Sequence, residues 1–209
     1  MKSFPSVDSH FPVAMADPSG RTIDYLRISV TDRCNERCLY CMPEGYKGWT
    51  LQPDHLTADK VVRIVEAATR LGFRKFRITG GEPLIRKDIV EILRRVWDLP
   101  GVQTLGLSTN ATCLAPVAHD LKQAGVRSVN INLDALAPAI SRKITGGELG
   151  SVLAGIQAAS NAGFEVVKLN CVRGFLRRSS QLRRRVTSDA PTRLFSAGTI
   201  GRVRTMNSR

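Results

Sequence analysis

Three cysteines stand within eight positions, Cys34-Asn-Glu-Arg-Cys38-Leu-Tyr-Cys41, a C-x3-C-x2-C spacing. Thiolates are soft metal ligands, and three on one short loop can take three corners of a metal centre and leave the fourth open, which is what a reacting ligand needs. Spacing alone leaves two readings open. One is an iron-sulfur cluster with an open iron; the other is a tetrahedral zinc completed by a distant ligand such as His55. Further along lies Thr79-Gly80-Gly81-Glu82-Pro83. Paired glycines permit close backbone approach to a ligand, and Glu82 offers a carboxylate to an ammonium group.

The elements that must position these groups follow one plan repeated five times between Asp24 and Asn170. Runs rich in β-branched and apolar residues (Tyr25 to Val30, Lys75 to Thr79, Thr104 to Ser108, Ser128 to Leu133, Val166 to Asn170) alternate with stretches that read as helices. From Asp59 to Leu71 the residues Val61, Ile64, Val65, Ala68 and Leu71 share a helical face, and Ile89, Ile92, Leu93 and Val96 repeat the pattern. Gly72, Gly125 and Gly163 stand where such helices stop. This alternation predicts βαβ units in a parallel sheet with right-handed crossovers.

Period two along the strands gives one polar face (Tyr25, Arg27, Ser29; Arg77, Thr79; Thr104, Gly106, Ser108; Asn130, Asn132; Val166, Lys168, Asn170) and one apolar face. A doubly wound sheet carries helices on both faces, and its strands read as continuous apolar runs. The one-sided pattern instead predicts an α/β fold in which a curled sheet lines a hydrated cavity: a partial (β/α) TIM-like barrel of about five βα units with an open edge. In such barrels the chemistry sits at the strand C-termini, here Thr79, Ser108 and Asn132. The polar face contains Arg27, Arg77 and Lys168 but no Asp or Glu, so these cations look toward a ligand anion for their counter-charge. Cys113 and Cys171 read as small buried hydrophobes, Trp97 as packing, and Asp134 as a turn or N-cap residue that could also meet a ribose.

The chain has 209 residues, 43% of them hydrophobic, and a net charge of +13. Those values suit one buried domain and exclude a coiled coil or wholesale disorder, and no apolar run is long enough to span a membrane. Pro5, Pro12 and Pro18 interrupt the N-terminus, so no secretory signal is expected and clustered thiols imply a reducing, cytoplasmic setting. Residues 1–20 read as a flexible arm, 21–172 as the core, and 173–209 as a disordered basic tail with ten Arg and one acid. Such a tail attracts nucleic acid non-specifically, which makes a non-catalytic metal-loop protein with a nucleic-acid-binding tail the second hypothesis. With Phe175 and Phe195 as its only aromatics, the tail is a poor single-strand binder, and no nucleic-acid partner is expected.

The cysteine loop and the Gly-Gly-Glu-Pro turn together resemble the radical S-adenosylmethionine (SAM) superfamily. The segments Tyr25-Leu-Arg-Ile-Ser-Val-Thr-Asp-Arg-Cys34, Arg77-Ile-Thr-Gly-Gly-Glu-Pro-Leu-Ile-Arg86, Ser108-Thr-Asn110, Val129-Asn-Ile-Asn-Leu-Asp134 and Val167-Lys-Leu-Asn-Cys-Val172 resemble, within it, the GTP 3′,8-cyclases of molybdenum cofactor biosynthesis. The resemblance covers roughly residues 19–172.

It implies that Cys34, Cys38 and Cys41 hold a [4Fe-4S] cluster, and that Tyr40, Gly80, Gly81, Glu82 and Asn132 contact SAM. It also implies that Arg27, Arg77, Ser108 and Lys168 contact GTP. The implied reaction starts with SAM cleavage to methionine and a 5′-deoxyadenosyl radical, draws on an electron donor, and yields (8S)-3′,8-cyclo-7,8-dihydroguanosine 5′-triphosphate. Asn132 stands where that family usually has Ser, and Ser108 where Thr is usual. The family also uses a second three-cysteine cluster, whereas no cysteine follows Cys171. The expectation is therefore a truncated or frameshifted product that cleaves SAM but cyclises GTP poorly or not at all. An open barrel edge makes a homodimer conceivable.

Overall fold

The computed structural model describes residues 15–41 and 56–172. The anticipated tail at 173–209, most of the anticipated arm, and His55 lie outside the described residues. Residues 15–20, assigned to that arm, instead form a closed turn: Ala16 bridges Thr22, and Asp17 accepts hydrogen bonds from the Ser19 and Arg21 backbones.

Five parallel strands form one sheet: β1 Tyr25–Ser29, β2 Lys75–Thr79, β3 Thr104–Thr109, β4 Ser128–Asn132 and β5 Val166–Asn170, in the spatial order β1-β2-β3-β4-β5. Helices α1 Ala58–Arg70, α2 Ile89–Asp98, α3 Ala118–Gln123, α4 Pro138–Thr145 and α5 Leu149–Asn161 fill the crossovers. Because spatial order equals chain order, every right-handed crossover steps the same way and the helices collect on one face. Among the described residues no helix covers the opposite face of the sheet. This is a partial TIM-like barrel wall, as the strand alternation implies.

The helix-facing strand residues form the core. Phe76, Ile78, Leu105, Leu107, Val129 and Ile131 are essentially inaccessible, joined by Val61 and Val65 of α1, Ile92, Leu93 and Val96 of α2, and Leu121 of α3. Helix α1 opens on Thr57, whose hydroxyl accepts from Lys60 N at 3.3 Å. Gly72, Gly125 and Gly163 have φ of 96°, 94° and 71°, the left-handed conformation expected where a helix turns into the next strand. Val167 and Leu169 of β5 are only partly buried, since β5 pairs on one side alone among the described residues.

Candidate functional site

The strand register turns the polar face into rungs. Arg27, Arg77, Gly106, Ser128 and Val166 align across the sheet, and above them Ser29 pairs with Thr79, and Ser108 with Asn130 and Lys168. Arg27 and Arg77 are thus direct neighbours on adjacent strands, an unfavourable like-charge pair. Arg77 is only 9% exposed and donates from Nε to the Tyr25 hydroxyl (2.9 Å), from Nη1 to Leu107 O (2.9 Å) and from Nη2 to Ser128 Oγ (3.0 Å), all neutral groups. Among the described residues neither Arg27, Arg77 nor Lys168 has a carboxylate partner. Among the described residues the three cations thus share one sheet face without a carboxylate partner, Arg27 and Arg77 side by side and Lys168 on the far edge strand.

At the C-terminal end of β1 the chain enters the cysteine loop, which neighbouring elements hold by its backbone. Gly81 N and Glu82 N donate to Thr31 O and Arg33 O, both at 2.8 Å, and Arg37 N and Leu39 N donate to Thr145 O and Ile144 O at the end of α4 (2.8 and 2.9 Å). Side chains hold it too. Asn110 Nδ2, beyond β3, donates to Asn35 Oδ1 at 2.8 Å, and the Tyr40 hydroxyl donates to Asp134 Oδ2 at 2.7 Å.

The glycine pair has a different cause from the one anticipated. A Cβ at Gly80 would collide with the Thr31 backbone and one at Gly81 with the Arg33 carbonyl. The close approach these glycines permit is that of the cysteine loop itself.

Glu82 is a correction to the sequence reading. Its carboxylate does not face a ligand: it is fully buried, Oε1 accepts from Leu84 N (2.9 Å) and Thr109 Oγ1 (2.7 Å), and Oε2 accepts from Asn110 N (2.7 Å). It caps the 3-10 turn Pro83–Ile85 and joins it to the end of β3. Burial pushes its carboxyl above the usual range, against the pull of those hydrogen bonds.

Asp134 is neither an N-cap nor open to a sugar, since Oδ1 accepts from Val172 N (2.8 Å) while Oδ2 holds Tyr40. Tyr40, read as a SAM contact, has its hydroxyl engaged there, and burial raises its phenol well above the usual value. Cys171 is exposed rather than buried, and Cys113 is half-buried.

All five cysteines are free. Cys38 is buried, Cys34 half-buried and Cys41 exposed. Burial pushes the Cys38 thiol up to about 12 and raises Cys34 and Cys41, with each thiol in electrostatic reach of the others. Metal uptake must therefore displace protons.

Among the described residues no three His, Cys, Asp or Glu side chains converge closely enough to hold a single ion. A tetrahedral zinc needs its sulfurs on one centre, whereas an iron-sulfur cluster takes one thiolate at each of several irons. Three free thiols on one loop, each in electrostatic reach of the others, are a donor set that suits such a cluster.

Glu36, a buried residue of the loop itself, has no role in the sequence analysis. It accepts weakly from Cys38 Sγ at 3.8 Å, and burial raises its carboxyl to about 7. Arg86 was missed as well: it grips Val30 O (2.7 Å), Leu56 O (2.8 Å) and Asp88, fixing the exit of β1. Glu36 stands between Asn35 and Arg37, and Arg86 between Ile85 and Lys87, so neither leaves a signal in the sequence that sets it apart from a surface charge.

A singly wound parallel sheet with a free three-thiol loop after its first strand is the arrangement of radical SAM proteins. The model of the radical SAM superfamily matches residues 28–175, and the chain belongs to that superfamily, whose members use a [4Fe-4S] cluster and SAM. Among curated relatives, the GTP 3′,8-cyclase of Listeria monocytogenes is 48% identical over 161 residues, 76% of this chain and 48% of that protein. The GTP 3′,8-cyclase of a Cyanothece species is 48% identical over 156 residues, 72% of this chain and 47% of that protein. The chain spans about half the length of the curated relatives it matches. In fold, it resembles HydG, a maturase of the [FeFe]-hydrogenase (TM-score 0.59, 17% identity, covering 72% of this chain and 35% of that one). Methylornithine synthase is similar to the same degree (TM-score 0.59, 17% identity, covering 72% and 44%).

Proposed function

We propose that this chain is the SAM-cleaving half of a GTP 3′,8-cyclase, the enzyme of the first step of molybdenum cofactor biosynthesis, acting in the cytoplasm with an external electron donor. The observation that carries the GTP assignment is the trio Arg27, Arg77 and Lys168 on the uncovered sheet face with no carboxylate among the described residues. Arg77 is buried without a carboxylate partner while Arg27 and Lys168 are exposed on the same face, and such an arrangement suits a triphosphate, which guanidinium groups take in bidentate fashion. The Ser108 hydroxyl lies on the same face, one rung above Arg77.

In this reading Cys34, Cys38 and Cys41 hold the [4Fe-4S] cluster. When bound, cluster and SAM together supply one-electron cleavage of SAM to methionine and a 5′-deoxyadenosyl radical. Gly80 and Gly81 let the turn lie against the cysteine loop, Glu82 fixes that turn from behind, and Asn132 at the rim of β4 hydrogen-bonds SAM. Tyr40, anchored by Asp134, orients the loop between Cys38 and Cys41.

The test is anaerobic reconstitution with iron and sulfide, then assay of 5′-deoxyadenosine under reduction, with and without GTP. The expected result is about four irons per chain, SAM cleavage that depends on Cys38, and little or no cyclised GTP from the 209 residues alone. Displacement by about 1 Å near a reacting centre already costs on the order of 10²-fold in rate. Zinc in place of iron, or a cluster that never cleaves SAM, overturns the reading. Efficient cyclisation by this chain overturns the part that limits it to SAM cleavage.

A further inference from the structure

One buried acceptor on the uncovered face has no donor. Asn130 of β4 stands in register between Ser108 of β3 and Lys168 of β5, and its Oδ1 is buried without a hydrogen-bond partner among the described residues. A buried carbonyl left unpaired is costly and rare in folded proteins, so its presence on a ligand-facing rung calls for a ligand donor. An amide oxygen only accepts, which excludes the phosphates of a nucleotide, since they carry no donors at neutral pH. The ribose joined to the α-phosphate does carry hydroxyls, and the neighbouring Lys168 can hold that phosphate.

We propose that Asn130 is a further substrate-binding residue, its Oδ1 accepting a hydrogen bond from a ribose hydroxyl of the nucleoside triphosphate. This inference rests on the GTP reading above. It predicts that the sheet face discriminates sugars from a position between its hydroxyl and its cation.

The test is equilibrium binding to the reconstituted 209-residue chain of GTP, 2′-deoxy-GTP, 3′-deoxy-GTP, inosine 5′-triphosphate and SAM. For the unsubstituted chain, one of the two deoxy nucleotides should bind about tenfold more weakly than GTP. Asn130→Leu should weaken GTP by a similar factor, leave that deoxy nucleotide unaffected, and leave SAM binding unchanged. Without ligand, Asn130→Leu should melt no lower than the unsubstituted chain, because no internal hydrogen bond to Oδ1 is lost.

A lower melting temperature, equal GTP binding by the variant, or a loss that follows the base in inosine 5′-triphosphate or appears with SAM overturns the assignment. No GTP binding by an unsubstituted chain that still cleaves SAM overturns the GTP reading beneath it, and the assignment with it. That outcome is distinct from one in which GTP binds and only the Asn130 effect is missing.

Discussion

Glu82 shows how much one side chain can decide. Its two oxygens receive three donors from two different segments, so replacing it with Gln puts an amide N–H against the Asn110 N–H. A buried donor left facing a donor costs about 1–3 kcal/mol, and Glu82→Gln should lower stability by that order in chemical denaturation. The pH dependence has a definite sign. Burial raises the folded-state carboxyl above 4.5, so with rising pH the unfolded chain releases its proton first. Stability of the unsubstituted chain therefore declines upward from about pH 4.5, and the deficit of the Gln variant narrows over the same window; a deficit that widens would contradict this account.

Asp17 behaves oppositely. The Ser19 hydroxyl and the Arg21 backbone and side chain hold its carboxyl down at about 2, from an ordinary 3.8. The stabilisation is present above pH 3.8 and is lost as pH falls through about 2. Carbon-detected NMR titration of Asp17 should show that midpoint, together with loosening of the Ser19 and Arg21 amides. An ordinary midpoint would mean that the turn is open in solution.

At the level of elements, α1 and α2 are legible because their apolar residues recur at helical spacing over two or more turns. Helix α5 is marked only by its place between strands and its stop at Gly163, since Leu149–Asn161 is built largely from small residues without a comparable stripe, and Gly155 lies where a Cβ would press on Ala111 and Leu114. The connection from α3 to β4 depends on Gly125, which has φ of 94° and sits where a Cβ would enter the Trp97 ring, while the Arg127 guanidinium lies 4.7 Å from that ring's centroid. Gly125→Ala combines left-handed strain of about 1–2 kcal/mol with displacement of the indole. It should lower the melting temperature clearly while far-ultraviolet circular dichroism stays native-like at low temperature. An unchanged melting temperature would show that the indole yields freely.

At the scale of the whole molecule, the sheet has five strands and two edges that pair on one side only among the described residues. Parallel edge strands leave unpaired backbone donors and acceptors, and β5 adds partly covered Val167 and Leu169. The isolated 209-residue chain should therefore associate as its concentration rises, with sedimentation velocity showing a mass that grows across the micromolar range. A single monomeric species throughout would indicate that residues outside the described ones cover the edges. Among the described residues no helix is long and apolar enough to cross a membrane.

The amino-acid sequence by itself determined the alternation in all five strands, glycine at three helix exits, thiols after β1, and cations with no acid on the polar strand face. These are local or periodic properties, fixed by side-chain direction along a strand and by the backbone freedom of glycine. Tertiary structure alone decided which groups meet. Tyr40 and Asp134 are 94 residues apart, and Asn35 and Asn110 are 75 apart. Glu82 turns inward to accept from Thr109, Gly81 is demanded by the Arg33 carbonyl, and Asn130 Oδ1 finds no donor among the described residues. A pattern along the chain reports which face a residue occupies. Which partner it finds on that face depends on the register and curvature that bring distant strands side by side.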